Sequence, residues 1–342
     1  MKILGIESSC DETAAAVVED GVTMLSSVVS SQVEMHRPYG GVVPELASRK
    51  HLEIIAPVVN EALKMAGIDK NQVDAVAVTA GPGLIGALLV GFCFGKSLAY
   101  ALGVPWVGVD HLDGHIHSVF LQTLFPEFPF ITLLASGGHT GIYYVTSHTK
   151  VQCLGQTVDD AAGEAFDKVA KMLGMGYPGG KAIAEMAADG DPDKIPFPRS
   201  YLDKDAFNFS FSGLKSAVHR YIQTHPEEYL GQIPDIAAAF QEAVVDVLTY
   251  KVIRAAAGKK CRRIALVGGV AANQRLNVRV RAAAEKAGAA VFTPSPELCG
   301  DNAAMIAAAG YYYLKGQASQ AVDLASDVYS RVKSPSSAGT LM

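Results

Sequence analysis

Three short apolar runs of this chain end in glycine-bearing turns: VDAVAVT before GPG (81–83), FPFITLLA before SGGHT (136–140), and RIALV before GGVAAN (268–273). Apolar runs of that length, alternating with longer helical patterns, specify an α/β protein whose strands are buried on both faces, with mostly parallel sheets. In such sheets ligands bind where glycine turns leave the carboxyl ends of strands. None of the three turns is GxGxxG or GxxxxGK[ST], so neither a dinucleotide fold nor a P-loop is indicated.

Strands are expected over 2–7, 13–20, 73–79 and 105–109, with two more inside 128–146. Helices are expected over 52–67, 159–175 and 234–258, and strand, turn and helix succeed one another in 262–288 and again in 289–316. No internal sequence repeat is visible. The uncharged stretch Ala75–Gly95 is broken by GPG, and the part beyond the break, Leu84–Gly95, is too short for a bilayer, so no membrane segment is expected. At 342 residues the chain exceeds what one core usually serves, which predicts two domains. Five dispersed cysteines without a CxxC argue against disulfides or a cysteine-rich zinc site and for the cytoplasm. A net charge of −5 is unlike a protein devoted to nucleic acid alone, so any such contact has to be local or shared with a partner.

HLDGHIHS (111–118) is the segment richest in chemistry. Its apolar neighbours fall at helical spacing, so His111 and His115, four apart, share a helix face, while His117 points elsewhere and is not read as a ligand. The helix N-terminus favours neutral imidazole, the ligating form. Two histidines alone do not complete a metal site, and the pair is equally compatible with a core role. The HExxH protease template fails, because Leu112 stands where the general base belongs.

Eight segments in order, ESSCDETAAAVV, GPGLIGALLVG, VDHLDGHIHS, LASGGHT, DDAAGEAFDKVAKMLGMGYPGG, FSFSGLKSA, VGGVAANQRLN and CGDNAAMIA, resemble the TsaD (Gcp) family of tRNA N6-adenosine threonylcarbamoyltransferases over nearly the whole chain. The resemblance implies the actin-like ATPase superfamily (sugar kinase, heat-shock chaperone, actin), with two ribonuclease-H-like domains and a cleft between them. The expected division is 1–110 plus roughly 318–335 for the N-terminal domain, 111–317 for a C-terminal domain carrying the metal and nucleotide site, and a flexible tail at 336–342.

The resemblance further implies that His111, His115 and Asp301 hold one divalent metal, iron in preference to zinc. It implies that Leu134, Ala135, Ser136, Gly137 and Gly138, with Asp167, Gly180 and Asn273, contact ATP or the adenylate. Some members carry an acidic ribose contact four residues after Gly180; here that position is Ala184, with Glu185 next. The SSCDET turn offers Asp11 and Glu12 as acid/base or amine-orienting groups, Glu12 first. The implied reaction moves threonylcarbamoyl from threonylcarbamoyl-adenylate to N6 of adenosine 37 in tRNAs reading codons that begin with A, forming t6A. The expected partners are tRNA, a TsaB-like paralogue and a TsaE-like ATPase. For tRNA itself the clearest basic candidates are KKCRR (259–263) and Arg275, Arg279 and Arg281. The rival readings are a small-molecule carbamoyltransferase and a non-catalytic nucleotide-binding regulatory subunit.

Overall fold

The structure, a computed structural model, describes residues 1–201, 206–316 and 325–331. Its strands are β1 (Lys2–Glu7), β2 (Glu12–Glu19), β3 (Thr23–Ser31), β4 (Ala75–Gly81), β5 (Trp106–Asp110), β6 (Phe130–Ala135), β7 (Thr140–Ser147), β8 (Lys150–Gln156), β9 (Arg263–Val267) and β10 (Ala290–Phe292). Its longer helices are α1 (Pro44–Met65), α2 (Ile85–Leu102), α3 (His111–His117), α4 (Ala162–Met172), α5 (Gly179–Ala187), α6 (Ser212–Thr224), α7 (Ile233–Gly258), α8 (Gln274–Lys286) and α9 (Ala303–Gly316).

The described residues form two compact units: one from 1–34, 42–121, 301–316 and 325–331, the other from 35–41, 122–201 and 206–300. This differs from the expected division. Residues 111–121 and 301–316 belong to the first unit, because α9 packs on β1 and on α3. The expected flexible tail at 336–342 lies outside the described residues.

In the first unit the sheet order is β3-β2-β1-β4-β5, with β3, β2 and β1 antiparallel and β1, β4 and β5 parallel. The second has order β10-β9-β6-β7-β8, again with two parallel and two antiparallel pairings. The sheets are therefore mixed rather than mostly parallel; the antiparallel members include two strands the sequence reading missed, β3 and β8.

Alternation along β1 sends its two faces to different helices. Leu4 and Ile6 join Val76, Val78, Ile55, Val59, Phe92 and Trp106 in one core beneath α1 and α2. Gly5 faces the other way, and a Cβ there would overlap the Ala303 carbonyl oxygen, so α9 lies directly on the strand. Helix α2 runs through Gly91 and Gly95 to Leu102, because those glycines pack on Ser8 and Val78 instead of ending it. It is thus longer than the sequence reading allowed: 18 residues, apolar enough by composition to cross a membrane, and a third buried. In the second unit α7 is the central helix, buried along most of its length, with Phe240 edge-on to Phe166 at 5.2 Å. Lys251 of α7 is buried; its Nζ donates to the Asn208 and Ala206 carbonyls above the Phe209 ring.

Candidate functional site

In the first unit, chemistry-bearing residues gather at the carboxyl ends of β1, β4 and β5. Asp110 closes β5 and caps α3, its Oδ1 accepting from the Leu112 and Asp113 amides. This cap starts the helix at His111, and one turn later His115 stacks edge-on to it, ring centroids 4.7 Å apart. Asp301 arrives just before α9, whose first turn Asn302 caps by accepting from the Met305 amide. Asp301 Oδ1 lies 3.1 Å from His115 Nε2 and 3.5 Å from His111 Nε2. One donor atom from each of the three residues lies within 4.8 Å of the others. His117 is turned away, its Nδ1 donating to the Asp113 carbonyl at 2.7 Å, as its expected exclusion requires.

The sequence reading missed Glu7, the last residue of β1. Its carboxylate is fully buried, and its Oε2 accepts from His111 Nδ1 at 3.0 Å. Thr79 Oγ1 donates to the same oxygen at 2.6 Å, and the Ser9 amide donates to Oε1 at 2.5 Å. Burial opposes charge throughout this cluster, yet pairing prevails. Asp301 and Glu7 hold the His111 imidazole well above the ordinary histidine range. His111 holds Glu7 below the usual carboxylate range, and His111 with His115 holds Asp301 well below it. The helix N-terminus therefore does not decide the charge of His111. In a helix of seven residues, moreover, His115 already stands in the last turn.

Asp11 and Glu12 leave the β1–β2 turn beside this cluster. The Gln32 amide donates to the Asp11 carbonyl at 3.0 Å, and Ser31 Oγ donates to Glu12 Oε1 at 3.1 Å. Burial, then Asp11 and Asp301, push the Glu12 carboxyl up to about 9. With the cluster metal-free it carries its proton at neutral pH, which of the two expected roles suits amine orientation better than that of a base.

The second unit brings the predicted nucleotide segment to the corresponding ends of β6 and β9. Leu134 and Ala135 are buried strand residues; Ser136 is buried, and Gly137 and Gly138 form an exposed turn. Gly163, in the first turn of α4, packs against that turn, its amide donating to the Ser136 carbonyl at 3.1 Å. A Cβ added at Gly137, Gly138 or Gly180 would meet nothing within 4 Å among the described residues. Asp167 Oδ1 accepts from the Gly179 amide at 2.7 Å, fixing the start of α5 beside Gly180. Asn273 is occupied within the protein: its oxygen caps α8 at Leu276 and its Nδ2 donates to Gln241 Oε1 at 2.7 Å. Glu185 is exposed and paired with Lys181 at 3.8 Å.

The basic runs proposed for tRNA are largely committed elsewhere. Arg275 binds Glu242 through two nitrogens, Arg279 reaches Asp246 at 2.6 Å, and Arg281 donates to the Val291 carbonyl and Thr293. Residues 259–263 enter β9 at its amino end, roughly 15 Å along the strand from the glycine turns.

The TsaD family model, described as tRNA N6-adenosine threonylcarbamoyltransferase, matches residues 23–308. The enzyme of that description from Desulforapulum autotrophicum is 60% identical over 334 residues, 97% of this chain and 99% of the relative. That from Symbiobacterium thermophilum is 53% identical, covering 94% of each. Among solved structures, HypF from T. kodakarensis superposes with a TM-score of 0.64 at 16% identity, over 92% of this chain and 48% of that one. Component A of the Acidaminococcus fermentans (R)-2-hydroxyglutaryl-CoA dehydratase superposes with 0.52 at 16% identity, over 92% and 99%. These two likenesses speak for an actin-like ATPase-type fold, whereas the sequence relatives fix the activity as group transfer to N6 of an adenosine in tRNA. The chain belongs to the TsaD family of tRNA N6-adenosine threonylcarbamoyltransferases.

Proposed function

We propose that the chain takes the threonylcarbamoyl group from threonylcarbamoyl-adenylate and places it on N6 of adenosine 37 in tRNAs reading codons that begin with A. The observation that carries this reading is the convergence of His111, His115 and Asp301 beside the β1–β2 turn. These residues fit one divalent ion: among the described residues neither ring nitrogen of buried His115 has a hydrogen-bond partner, its Nε2 faces Asp301, and the donors are two imidazoles and a carboxylate. A set of two histidines and one carboxylate with open positions supports iron over zinc. Such an ion, when bound, supplies Lewis-acid polarisation of an oxygen ligand.

The remaining roles fall to the chain's own groups. The open Ser136–Gly138 turn and the adjacent N-terminus of α4 offer amides to the leaving phosphate of an adenylate, or to ATP. Asp167 and Gly180 shape the nucleotide end, and Asn273 supports it by holding the 268–273 turn. Glu12 and Asp11 orient the incoming amine. Helix α2 leaves Ile85, Leu89, Cys93 and Tyr100 exposed on one side, which supports docking of a TsaB-like paralogue; a TsaE-like ATPase completes the set. A tRNA substrate supports a cytoplasmic location.

The test combines the protein with these partners, unmodified tRNA, threonine, bicarbonate, ATP and the adenylate-forming enzyme, and measures the modified nucleoside by mass spectrometry. Native protein is expected to give threonylcarbamoyladenosine and His111→Ala none. Product from both would remove the metal cluster from the reaction.

A further inference from the structure

Glu7 is a fully buried carboxylate that the proposed chemistry does not use. It ends a strand whose other residues are almost all buried and apolar. An ionised group in such a place is costly unless its partners require the charge. A strand end held only by the Thr79 hydroxyl and the Ser9 amide would be served as well by a neutral acceptor.

We propose that Glu7 is a positioning residue for the metal ligand His111: it takes the Nδ1–H of that imidazole and leaves Nε2 as the atom that ligates. The inference rests on the metal reading of the His111–His115–Asp301 cluster. The two nitrogens of His111 are divided between two carboxylates, Nδ1 at 3.0 Å from Glu7 Oε2 and Nε2 at 3.5 Å from Asp301 Oδ1. An imidazole ligates through either nitrogen, and the partner of the other nitrogen decides which. Glu7 cannot swing away, because both of its oxygens are held from the strand ends, by Thr79 on β4 and by the Ser9 amide just past β1. Ser9 Oγ, 3.3 Å from the same Nδ1, closes the remaining side. Among the described residues His115 Nδ1 has no comparable carboxylate, so the sites for the two histidines are unequal and His111 is the ligand whose orientation is fixed from outside the cluster.

Zinc, which is diamagnetic, is the probe. Its affinity is measured by competition with a chromophoric chelator for wild type and Glu7→Gln, with thermal unfolding of the zinc-free proteins alongside. Wild type is expected to bind one zinc, and Glu7→Gln to bind it about 10- to 100-fold more weakly without a matching loss of zinc-free stability. In parallel, nitrogen-15 NMR of histidine-labelled, zinc-loaded wild type should show His111 bound through Nε2, with its Nδ1–H protected from exchange. Zinc affinity of Glu7→Gln within about twofold of wild type would overturn the proposal while leaving the metal cluster intact. Zinc bound through Nδ1 of His111 would do the same, even if Glu7→Gln failed to fold. A wild type that binds no zinc would overturn the cluster and the role of Glu7 together.

Discussion

Gly5→Ala tests whether the fold and the metal cluster are one mechanical unit. Gly5 sits in mid-strand where α9 crosses β1. An added Cβ would overlap the Ala303 carbonyl oxygen and lie 2.9 Å from both the Cβ and the amide nitrogen of Ala307. None of these is the end of a flexible side chain, so the backbone of α9 must withdraw by about 1 Å or more to restore ordinary contact. Overpacking of this kind costs about 1–3 kcal/mol. For a unit of this size that lowers the midpoint of unfolding by about 2–4 °C per kcal/mol. Asp301 precedes the first residue of α9 by two positions, so the same withdrawal pulls its carboxylate from His111 and His115. Calorimetry of the zinc-free protein should show the lower midpoint, and chelator competition a weaker zinc affinity. Gly137→Ala, in open space, serves as the control. A Gly5→Ala midpoint within about 1 °C of wild type would refute the claim that the strand and helix meet without room for a methyl group.

Gly138→Ala should leave thermal stability unchanged, because the added Cβ meets nothing within 4 Å among the described residues, but weaken ATP binding in calorimetric titration. Asp160 bridges Lys168 and Lys215 at 2.8 and 2.7 Å, and Asp160→Asn should cost about 1.5–3 kcal/mol in denaturant unfolding. Burial opposes the Asp160 charge but the lysines lower its pKa below 3.8; the stability it contributes is present above that value and is lost as acid titrations descend past it. Glu12→Gln should keep turnover at pH 7 within about threefold, since Gln resembles the protonated acid; a loss of about a hundredfold would restore Glu12 as the base. Lys260→Glu with Arg262→Glu should change tRNA affinity only a few-fold in filter binding, because both lie at the amino end of β9.

Burial decides which elements were legible in the sequence. Strands β1 and β4 were legible because covering both faces makes them continuous apolar runs. Strands β3 and β8 were not, because TMLSSVVSS and KVQCLGQ lie at sheet edges with much of their length exposed. The beginning of α1 was missed because PELASRK carries its charges on the solvent side, and α6 because SGLKSAVHRYIQT buries only Leu214 and Val218. In the site, the His111/His115 pair showed itself by spacing. Asp301 came only through family resemblance, since no periodicity links residues that far apart in the chain. Glu7 gave one faint signal, an acidic residue at the end of an apolar strand. Its meaning depended on Thr79 and His111, which only the folded sheet brings to it.

The two sheets repeat one strand order although the sequences show no repeat, and this explains why the chemistry divides as it does. In each, three antiparallel strands are extended by two parallel ones, and the turn after the central strand opens at the same pole as the carboxyl ends of the parallel strands. That pole gathers backbone amides and helix starts whatever the side chains are. In the second unit the turn after β6 is Ser-Gly-Gly, which leaves the amides uncovered and suits an anion. In the first unit the turn after β1 is closed by Gly83 and α2, with the Leu84 amide donating to the Ser9 carbonyl at 2.8 Å. There the space is taken by Glu7, His111, His115 and Asp301, two carboxylates and two imidazoles, which suit a cation. The same topology thus yields an anion pole in one unit and a cation pole in the other. The difference lies in whether glycine or a carboxylate–imidazole set stands at the strand end, so substitutions at 137–138 and at 7 should separate nucleotide binding from metal binding.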